Sequence, residues 1–256
     1  MSEEIKVLIF IFGVAVVPIF LLVQFASYHS LKKEAKLWSI IWITTTILAF
    51  MSPNFWFFIA FMAIILLVIT KNKPMLKLCL FFVLLPSIPP GIAVIPGFGI
   101  INYLFNISFQ LFLSIVLLTP LAFARTRQNI SIKSVKYLIF AFCLLNIILY
   151  YQESSFVYKG VLISKASSIT EVLRYTFILS LTLLIPYYAV IKTVKSSDDI
   201  NKVFYAILFG VLLQACIGFA ELLKVWHVYN IGANSLGLNG GGMMYLSREN
   251  LLENLT

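Results

Sequence analysis

The amino-acid sequence predicts an all-α, multi-pass membrane protein. Hydrophobic residues make up 61% of the 256 positions and charged residues only 11%, whereas about a quarter of the residues in a soluble domain are charged. Long apolar runs recur along the chain, as expected for membrane-spanning helices. Runs such as that from Phe57 to Thr70 are apolar on every face, which is incompatible with the alternating strands of a membrane β-barrel. The prediction is therefore a bundle of about eight transmembrane helices.

The eight predicted spans are separated by charged, polar or proline-containing connections. In the first span, Pro18 is tolerated as a kink, since neighbouring groups in a bundle satisfy the backbone that proline frees. The second span is short, and it forms a tight hairpin with the third around Ser52, Pro53 and Asn54. In chain order the predicted spans cover about residues 5–26, 38–51, 55–70, 75–86, 107–124, 135–151, 170–191 and 203–224.

The connection between the fourth and fifth spans has an unusual composition. From Pro86 to Asn106 it carries no charge but is rich in proline and glycine, which predicts that it does not form a regular helix. Irregular backbone at membrane depth persists only against protein or beside water. Two interpretations remain open: an interfacial loop anchored by Tyr103, Phe105 and Phe109, or a re-entrant segment lining a cavity.

Basic residues alternate between rich and poor connections, and this alternation predicts the orientation of the spans. The connections before the second, fourth, sixth and eighth spans hold three, three, four and three basic residues, and the others hold none, none and two. Because internal loops carry the excess of Lys and Arg, the pattern fits eight spans with both termini outside. The rich connections hold Lys32, Lys33 and Lys36; Lys71, Lys73 and Lys77; Arg125, Arg127, Lys133 and Lys136; and Lys192, Lys195 and Lys202, against Lys159 and Lys165 in the poor ones.

The net charge of +9 does not indicate a nucleic-acid partner, because the basic residues are dispersed between apolar runs and form no basic face on a soluble module. The partner that this distribution predicts is the lipid bilayer. Cys79, Cys143 and Cys216 lie within apolar spans without a CxxC or Cys/His spacing, so neither a disulfide framework nor a metal site is expected. The sequence contains no motif that calls for a cofactor.

Charged residues in the last two spans are the candidate functional residues. Glu171 and Arg174 lie in the opening turn of the seventh span and Glu221 in the closing turn of the eighth. In an antiparallel hairpin these turns share one membrane face, so we expect Arg174 and Glu221 to approach each other. A charge at a helix centre costs about 2.5–3.5 kcal/mol, so such residues pair, face water or do chemistry. An alternative interpretation pairs Arg174 with Glu171 and Glu221 with Lys224.

Four stretches of the chain, in this order, resemble the amino-terminal half of the O-antigen ligase and Wzy-type O-antigen polymerase family of bacterial inner-membrane proteins. The stretches are Leu85-Pro-Ser-Ile-Pro-Pro with Gly99-Ile-Ile-Asn-Tyr-Leu-Phe; Leu117-Leu-Thr-Pro-Leu; Arg174 followed by Ile185-Pro-Tyr-Tyr-Ala; and Phe219-Ala-Glu-Leu-Leu-Lys-Val-Trp leading to Tyr245-Leu-Ser-Arg. Such proteins use many transmembrane helices and a large periplasmic loop. They transfer or polymerise glycans carried on undecaprenyl pyrophosphate, without metal or nucleotide, using periplasmic arginines and a histidine.

The resemblance implies roles for particular residues. Arg248 with Leu252 matches the family's Arg-x-x-x-Leu pattern at the start of the periplasmic loop, and an arginine fork suits a pyrophosphate. Arg174 and Glu221 are the further substrate-binding candidates. The family's later histidine has no counterpart, because His29 belongs to an internal loop and His227 lies among interfacial aromatic residues without an evident carboxylate partner. No catalytic residue is therefore assigned.

Together these features predict a transmembrane domain over residues 1–223 and a periplasmic tail over 224–256, with both termini periplasmic. We expect a truncated O-antigen ligase or polymerase relative in lipopolysaccharide biosynthesis, located in the bacterial inner membrane. It is a glycosyltransferase only if it is active, and activity is expected to require a second chain that supplies the missing half. Two alternatives stay open: a small transporter or flippase-like protein that uses residues 86–99 as a broken helix, and a non-catalytic membrane scaffold.

Overall fold

A computed structural model of the chain describes residues 3–28, 31–86, 92–96, 103–124, 133–152, 156–158, 161–163, 169–224 and 236. Over these residues the chain forms a bundle of apolar helices with two short β-hairpins. The helices are α1 (Glu3–Tyr28), α2 (Lys32–Met51), α3 (Phe55–Ile69), α4 (Pro74–Leu84), α5 (Phe109–Ala122), α6 (Lys133–Gln152), α7 (Ile169–Leu179, continued by Ser180–Leu184 and Ile185–Thr193) and α8 (Ser197–Lys224).

Among the described helices, α1, α2, α7 and α8 are long and apolar enough to cross a membrane. The remaining helices have shorter apolar stretches. A helix rises 1.5 Å per residue, so the 11 residues of α4 extend about 16 Å, roughly half of a 30 Å hydrocarbon core. The prediction of a helical membrane protein is confirmed, and the count of eight spans stays a prediction.

The outer surface of the bundle is apolar. Val16, Val17 and Phe20 on α1 are exposed, and so are Tyr137 and Leu138 on α6. Soluble monomeric proteins rarely expose contiguous apolar patches of this kind, whereas the surface of a membrane protein contacts lipid tails. The described structure is therefore that of a helical membrane protein.

Helix α2 begins at Lys32, six residues before the predicted start of the second span at Trp38. The residues that were expected to form a basic loop instead build its first turns. Lysine, glutamate and alanine are good helix formers, and Glu34 in the first turn interacts favourably with the positive end of the helix dipole. With 20 residues, α2 is long enough to span a membrane, unlike the shorter segment predicted from the sequence.

Local side-chain contacts define several helix starts. The side chain of Asn54 accepts a hydrogen bond from the Phe57 N–H at 3.0 Å at the start of α3, and Ser108 accepts from the Leu111 N–H at 3.2 Å at the start of α5. Helix α4 begins with Pro74, whose missing N–H is not needed in the first turn. Between α3 and α4, Asn72 adopts a left-handed conformation with φ of 59°, which asparagine tolerates better than most residues.

Two β-hairpins are the departures from the all-α prediction. Strand β1 (Ile92–Pro96) pairs antiparallel with β2 (Tyr103–Ser108), with an irregular register between Val94 and Pro96. Strand β3 (Phe156–Tyr158) pairs antiparallel with β4 (Val161–Ile163) in the predicted polar loop. The connection between the fourth and fifth predicted spans was predicted not to form a regular helix, and this is confirmed over its described residues. There the two strands pair their backbone groups with each other.

Phe109 does not fit the role of interfacial anchor, which was one of the two interpretations left open by the sequence. Its side chain is buried, and its ring packs 5.5 Å from that of Phe58 and 5.7 Å from that of Phe112. As the first residue of α5, Phe109 is turned into the bundle and joins α5 to α3. The side chains of Tyr103 and Phe105 lie outside the described part of the structure.

The core of the bundle is built around α8, which packs along α1 and α4. Trp38 of α2 lies between the rings of two α8 residues, 6.2 Å from Tyr205 and 6.0 Å from Phe209. The Tyr205 hydroxyl donates a hydrogen bond to the carbonyl of Leu22 in α1. The predicted α7–α8 hairpin is therefore not the main packing unit, because the extensive contacts of α8 are with α1 and α4.

Candidate functional site

The three candidate site residues are not all described. Arg174 is half-buried on α7, six residues into the helix, and Glu221 is 9% exposed near the end of α8. Both residues make polar or electrostatic interactions in the structure. Arg248 lies outside the described residues. Its predicted role, and those of Arg174 and Glu221, stay predictions.

Arg174 and Glu221 each lie far from the connection between α7 and α8 along their own helices. The Tyr205–Leu22 hydrogen bond marks the opposite end of α8, and Glu221 follows 16 residues later, about 24 Å along the helix axis. Arg174 precedes Lys192, at the other end of α7, by 18 residues or about 27 Å. That the two residues share one end of the bundle stays a prediction.

The helices that carry the two residues pack mainly against different neighbours. The segment Ile169–Leu179, which carries Arg174, packs mainly against α6, whereas the helix that carries Glu221 packs mainly against α1 and α4. The expectation that the two residues meet within one tight hairpin rested on sequence adjacency alone. The approach of Arg174 to Glu221 stays a prediction.

The segment that follows α8 touches the bundle at one described point. Leu236 is 1% exposed and belongs to the hydrophobic core, and its carbonyl accepts a hydrogen bond of 2.9 Å from the N–H of Phe55. Phe55 begins α3, directly after the hairpin around Asn54. This contact places Leu236 at the predicted outer end of the α2–α3 hairpin.

The opposite end of the bundle contains two cavities lined by lysine residues. The first, which we call the lysine cavity, has a volume of about 330 Å³ and includes the side chains of Lys33, Lys73 and Lys202 with Glu34 and Trp38. Its floor is apolar and includes Leu37, Met75, Leu76 and Cys79. Lys202, Glu34 and Asp199 are close enough to the Cys79 thiol for their charges to act on it.

The second cavity, the α5–α7 cavity, has a volume of about 520 Å³ and opens between α5, α6 and α7. Lys192 lines it and donates hydrogen bonds from Nζ to two backbone carbonyls at the end of α5, at 2.6 Å to Ala122 and 3.0 Å to Ala124. Ala122 is the last residue of α5 and Ala124 follows it, so neither carbonyl is paired within the helix. Lys192 therefore caps α5 and fastens it to α7.

The lysines of the two cavities come from all four connections that the sequence predicts to be internal. Lys33, Lys73 and Lys136 represent the first three, and Lys192 and Lys202 both belong to the fourth. These connections therefore lie at one end of the bundle, the grouping expected from the alternation of basic residues. Which side of a membrane this end faces stays a prediction.

Helices α5 and α7 share a local irregularity that the sequence pattern did not predict. Each contains a π-helical turn, Ser114–Leu118 in α5 and Ser180–Leu184 in α7, and the two turns contact each other. Each turn is followed two residues later by a proline, Pro120 or Pro186. Both segments fit the pattern Ser-x-x-Leu-Leu-x-Pro, a short internal repeat that was not recognised from the sequence.

The proline explains the π-helical turn. A proline inside a helix lacks an N–H and its ring clashes with the carbonyl four residues earlier, so the ladder of hydrogen bonds must adjust. Here the residue before each proline donates its N–H to the serine carbonyl five residues earlier, from Thr119 to Ser114 and from Ile185 to Ser180. Such π-helical turns occur frequently at functional sites.

Two buried hydroxyl groups lie at these turns. The Ser114 hydroxyl in α5 and the Tyr187 hydroxyl, one residue after Pro186 in α7, have no hydrogen-bond partner among the described residues. A buried hydroxyl without a partner is costly and calls for a ligand, a water molecule or a functional role. The paired turns are thus a region of the apolar bundle that contains buried polar groups without hydrogen-bond partners among the described residues.

The chain was compared with known proteins. No protein-family model, no curated protein and no solved structure matches the chain.

Proposed function

We propose that the chain is an inner-membrane protein of the O-antigen ligase or polymerase type, which holds an undecaprenyl-pyrophosphate-linked glycan at the periplasmic end of its helices. The sequence resemblance supports this proposal. The structural observation that supports it is the hydrogen bond between Leu236 and the start of α3, because Leu236 lies between α8 and Arg248 in the sequence. Along α7 and α8, Arg174 and Glu221 lie far from the connection that carries Lys192 and Lys202.

In this proposal the chain binds the donor, and its residues have distinct roles. Arg174 and Arg248 contact the pyrophosphate, since a guanidinium offers two parallel donors to phosphate oxygens and keeps its charge at depth. Glu221 orients a neighbouring cation or a sugar hydroxyl. Neither His29 nor His227 is assigned as a general base, so transfer of the glycan requires a second chain that supplies the remaining catalytic groups.

A binding experiment tests the donor-binding proposal without requiring turnover. The purified chain in lipid nanodiscs is loaded with undecaprenyl pyrophosphate, and the retained lipid is measured by native mass spectrometry. We expect Arg174→Ala to reduce retention about tenfold, which corresponds to about 1.4 kcal/mol. Lys195→Ala, an exposed cation between α7 and α8, is the matched control and should leave retention unchanged. Equal retention by the wild type and Arg174→Ala would exclude the proposed role.

A second candidate function, membrane transport, is supported by the two π-helical turns. Transporters place matched interrupted helices beside the substrate site near the middle of the membrane. The matched pair here is Ser114–Leu118 and Ser180–Leu184. It adds to the single interruption at residues 86–99, which stays a prediction. The uncompensated hydroxyls of Ser114 and Tyr187 add polar groups beside this pair.

Uptake into proteoliposomes separates the two candidates. If transport is the function, labelled glycan donor moves across the bilayer, and Pro186→Ala reduces the rate because it removes the cause of the π-helical turn in α7. If donor binding alone is the function, undecaprenyl pyrophosphate is retained and no flux follows. If the chain neither retains the donor nor supports flux, the scaffold alternative is favoured.

A further inference from the structure

The lysine cavity is a second candidate binding site at the end of the bundle opposite the proposed glycan site. Three lysines from different connections, Lys33 of α2, Lys73 before α4 and Lys202 of α8, surround about 330 Å³ of space. Glu34 is the one carboxylate among the described lining residues. At neutral pH these four side chains carry a formal charge of +2, so the cavity favours an anion.

A buried donor without an acceptor independently points to a ligand. Trp38 lines the cavity and is 1% exposed, and its indole Nε1 has no hydrogen-bond partner among the described residues. An indole N–H donates only and usually finds an acceptor when it is buried. Its ring packs against Tyr205 and Phe209 of α8.

The chemistry of the lining residues selects the class of ligand. Apart from Glu34, the polar groups are donors: three ammonium groups and one indole N–H. A phosphate group matches this set, because it carries negative charge on several acceptor oxygens. The apolar floor formed by Leu37, Met75 and Leu76 suits the glycerol and first acyl carbons of a phospholipid. Basic pockets between helices on the cytoplasmic side of membrane proteins bind lipid headgroups in this way.

We propose that the lysine cavity binds a phosphate group, with an oxygen accepting from Trp38 Nε1 and with Lys33, Lys73 and Lys202 balancing its charge. The phosphate belongs either to an anionic phospholipid headgroup or to a free anion. The site joins α2, α4 and α8, so its occupancy stabilises the packing of α8 on the rest of the bundle. This proposal does not depend on the proposed function, since no candidate glycan-binding residue contributes to the cavity.

The direct test compares two probes on the full chain. In nanodiscs that contain phosphatidylglycerol and phosphatidylcholine, native mass spectrometry measures how much of each lipid the protein retains. Inorganic phosphate is titrated separately by calorimetry. We expect Trp38→Phe and Lys202→Gln each to weaken binding of the effective probe about tenfold, equivalent to about 1.4 kcal/mol. Trp38→Phe removes the N–H donor and keeps an aromatic ring. Lys202→Gln does not alter the hydrophobic core, so it still tests the proposal if Trp38→Phe fails to fold.

Matched controls accompany each variant. Trp42→Phe truncates another buried tryptophan, one turn further along α2 and outside the cavity. Lys6→Gln removes one exposed charge near the start of α1, far from the cavity. Both controls should bind like the wild type, which separates a local effect from a general loss of fold or charge.

The two probes distinguish the sources of the phosphate. Selective retention of phosphatidylglycerol that depends on Trp38 and Lys202 identifies a lipid headgroup. Binding of inorganic phosphate with the same dependence identifies a free anion, and either result supports the proposal. If the variants and the wild type do not differ with either probe, or if Trp42→Phe and Lys6→Gln are equally impaired, the proposal is wrong.

Discussion

The contact between α8 and α4 leads to a specific prediction at Gly210. A Cβ atom added there would lie 2.8 Å from the carbonyl oxygen of Phe82, 3.0 Å from that of Val83 and 3.1 Å from Cγ of Pro86. Two of these three atoms belong to the backbone and the third to a rigid ring, so none can rotate away. Gly210→Ala must therefore push α8 and α4 apart. Small residues serve this purpose in membrane bundles, where helix backbones approach closely.

The expected loss of stability in Gly210→Ala follows from comparison with a matched substitution in the same helix. A methyl group added at Gly218 has no heavy atom within 4 Å, so Gly218→Ala meets open space. Both variants gain the same helix propensity, about 1 kcal/mol for alanine over glycine. That gain cancels when Gly210→Ala is compared with Gly218→Ala. The difference between their free energies of unfolding is therefore the cost of overpacking at Gly210. Overpacking costs about 1–3 kcal/mol, and with unyielding neighbours we expect the upper part, about 2–3 kcal/mol.

The assay is reversible unfolding of each variant in mixed micelles, followed by circular dichroism at one temperature. We expect Gly210→Ala to be less stable than Gly218→Ala by about 2–3 kcal/mol. Gly13→Ala, in open space on α1, should behave like Gly218→Ala and so controls for the helix chosen. If Gly210→Ala is as stable as Gly218→Ala, α8 and α4 do not approach as closely as the structure indicates.

Three further predictions concern the ends of the bundle. Lys192→Gln should lower the free energy of unfolding by about 1–2 kcal/mol, because Lys192 donates two charged hydrogen bonds to the end of α5. The control is Lys195→Gln at an exposed position, and an equal loss in both variants would contradict the capping role. Tyr205→Phe should lose about 1 kcal/mol in the same assay, since it removes the hydrogen bond to α1 and keeps the ring; an unchanged stability would show that this bond contributes nothing. In spheroplasts, a membrane-impermeant thiol reagent should label Asn54→Cys and spare Ser196→Cys, as the predicted orientation requires; the reverse labelling pattern would invert the topology.

The helices were the most predictable part of the fold. The long apolar runs correspond to helices throughout the described chain, because in lipid a helix satisfies its own backbone hydrogen bonds. Boundaries were less predictable where charged residues are also good helix formers, as in the first turns of α2 at Lys32. The β1–β2 hairpin was only partly predictable: the prolines and glycines exclude a helix, but the pairing of Ile92–Pro96 with Tyr103–Ser108 is a non-local contact.

The candidate sites illustrate the same division. The unusual depth of Arg174 and Glu221 is visible in the sequence, whereas the mutual positions of their helices depend on which neighbours each helix packs against. The repeated Ser-x-x-Leu-Leu-x-Pro pattern before Pro120 and Pro186 was a readable signal that hydrophobic periodicity does not detect, because both segments are uniformly apolar. That the two π-helical turns meet could not be read from the chain, since 66 residues separate their serines.

Sequence alone was enough to determine the class of this protein, its long apolar helices and the grouping of its basic connections, because hydrophobicity and charge act on each segment independently of the others. Tertiary packing was needed to establish that α8 lies on α1 and α4, that Gly210 is a point of close approach, and that Lys33, Lys73 and Lys202 line one cavity with Trp38. These features depend on shape complementarity between segments far apart in the chain, and a site made of such segments exists only after they have packed.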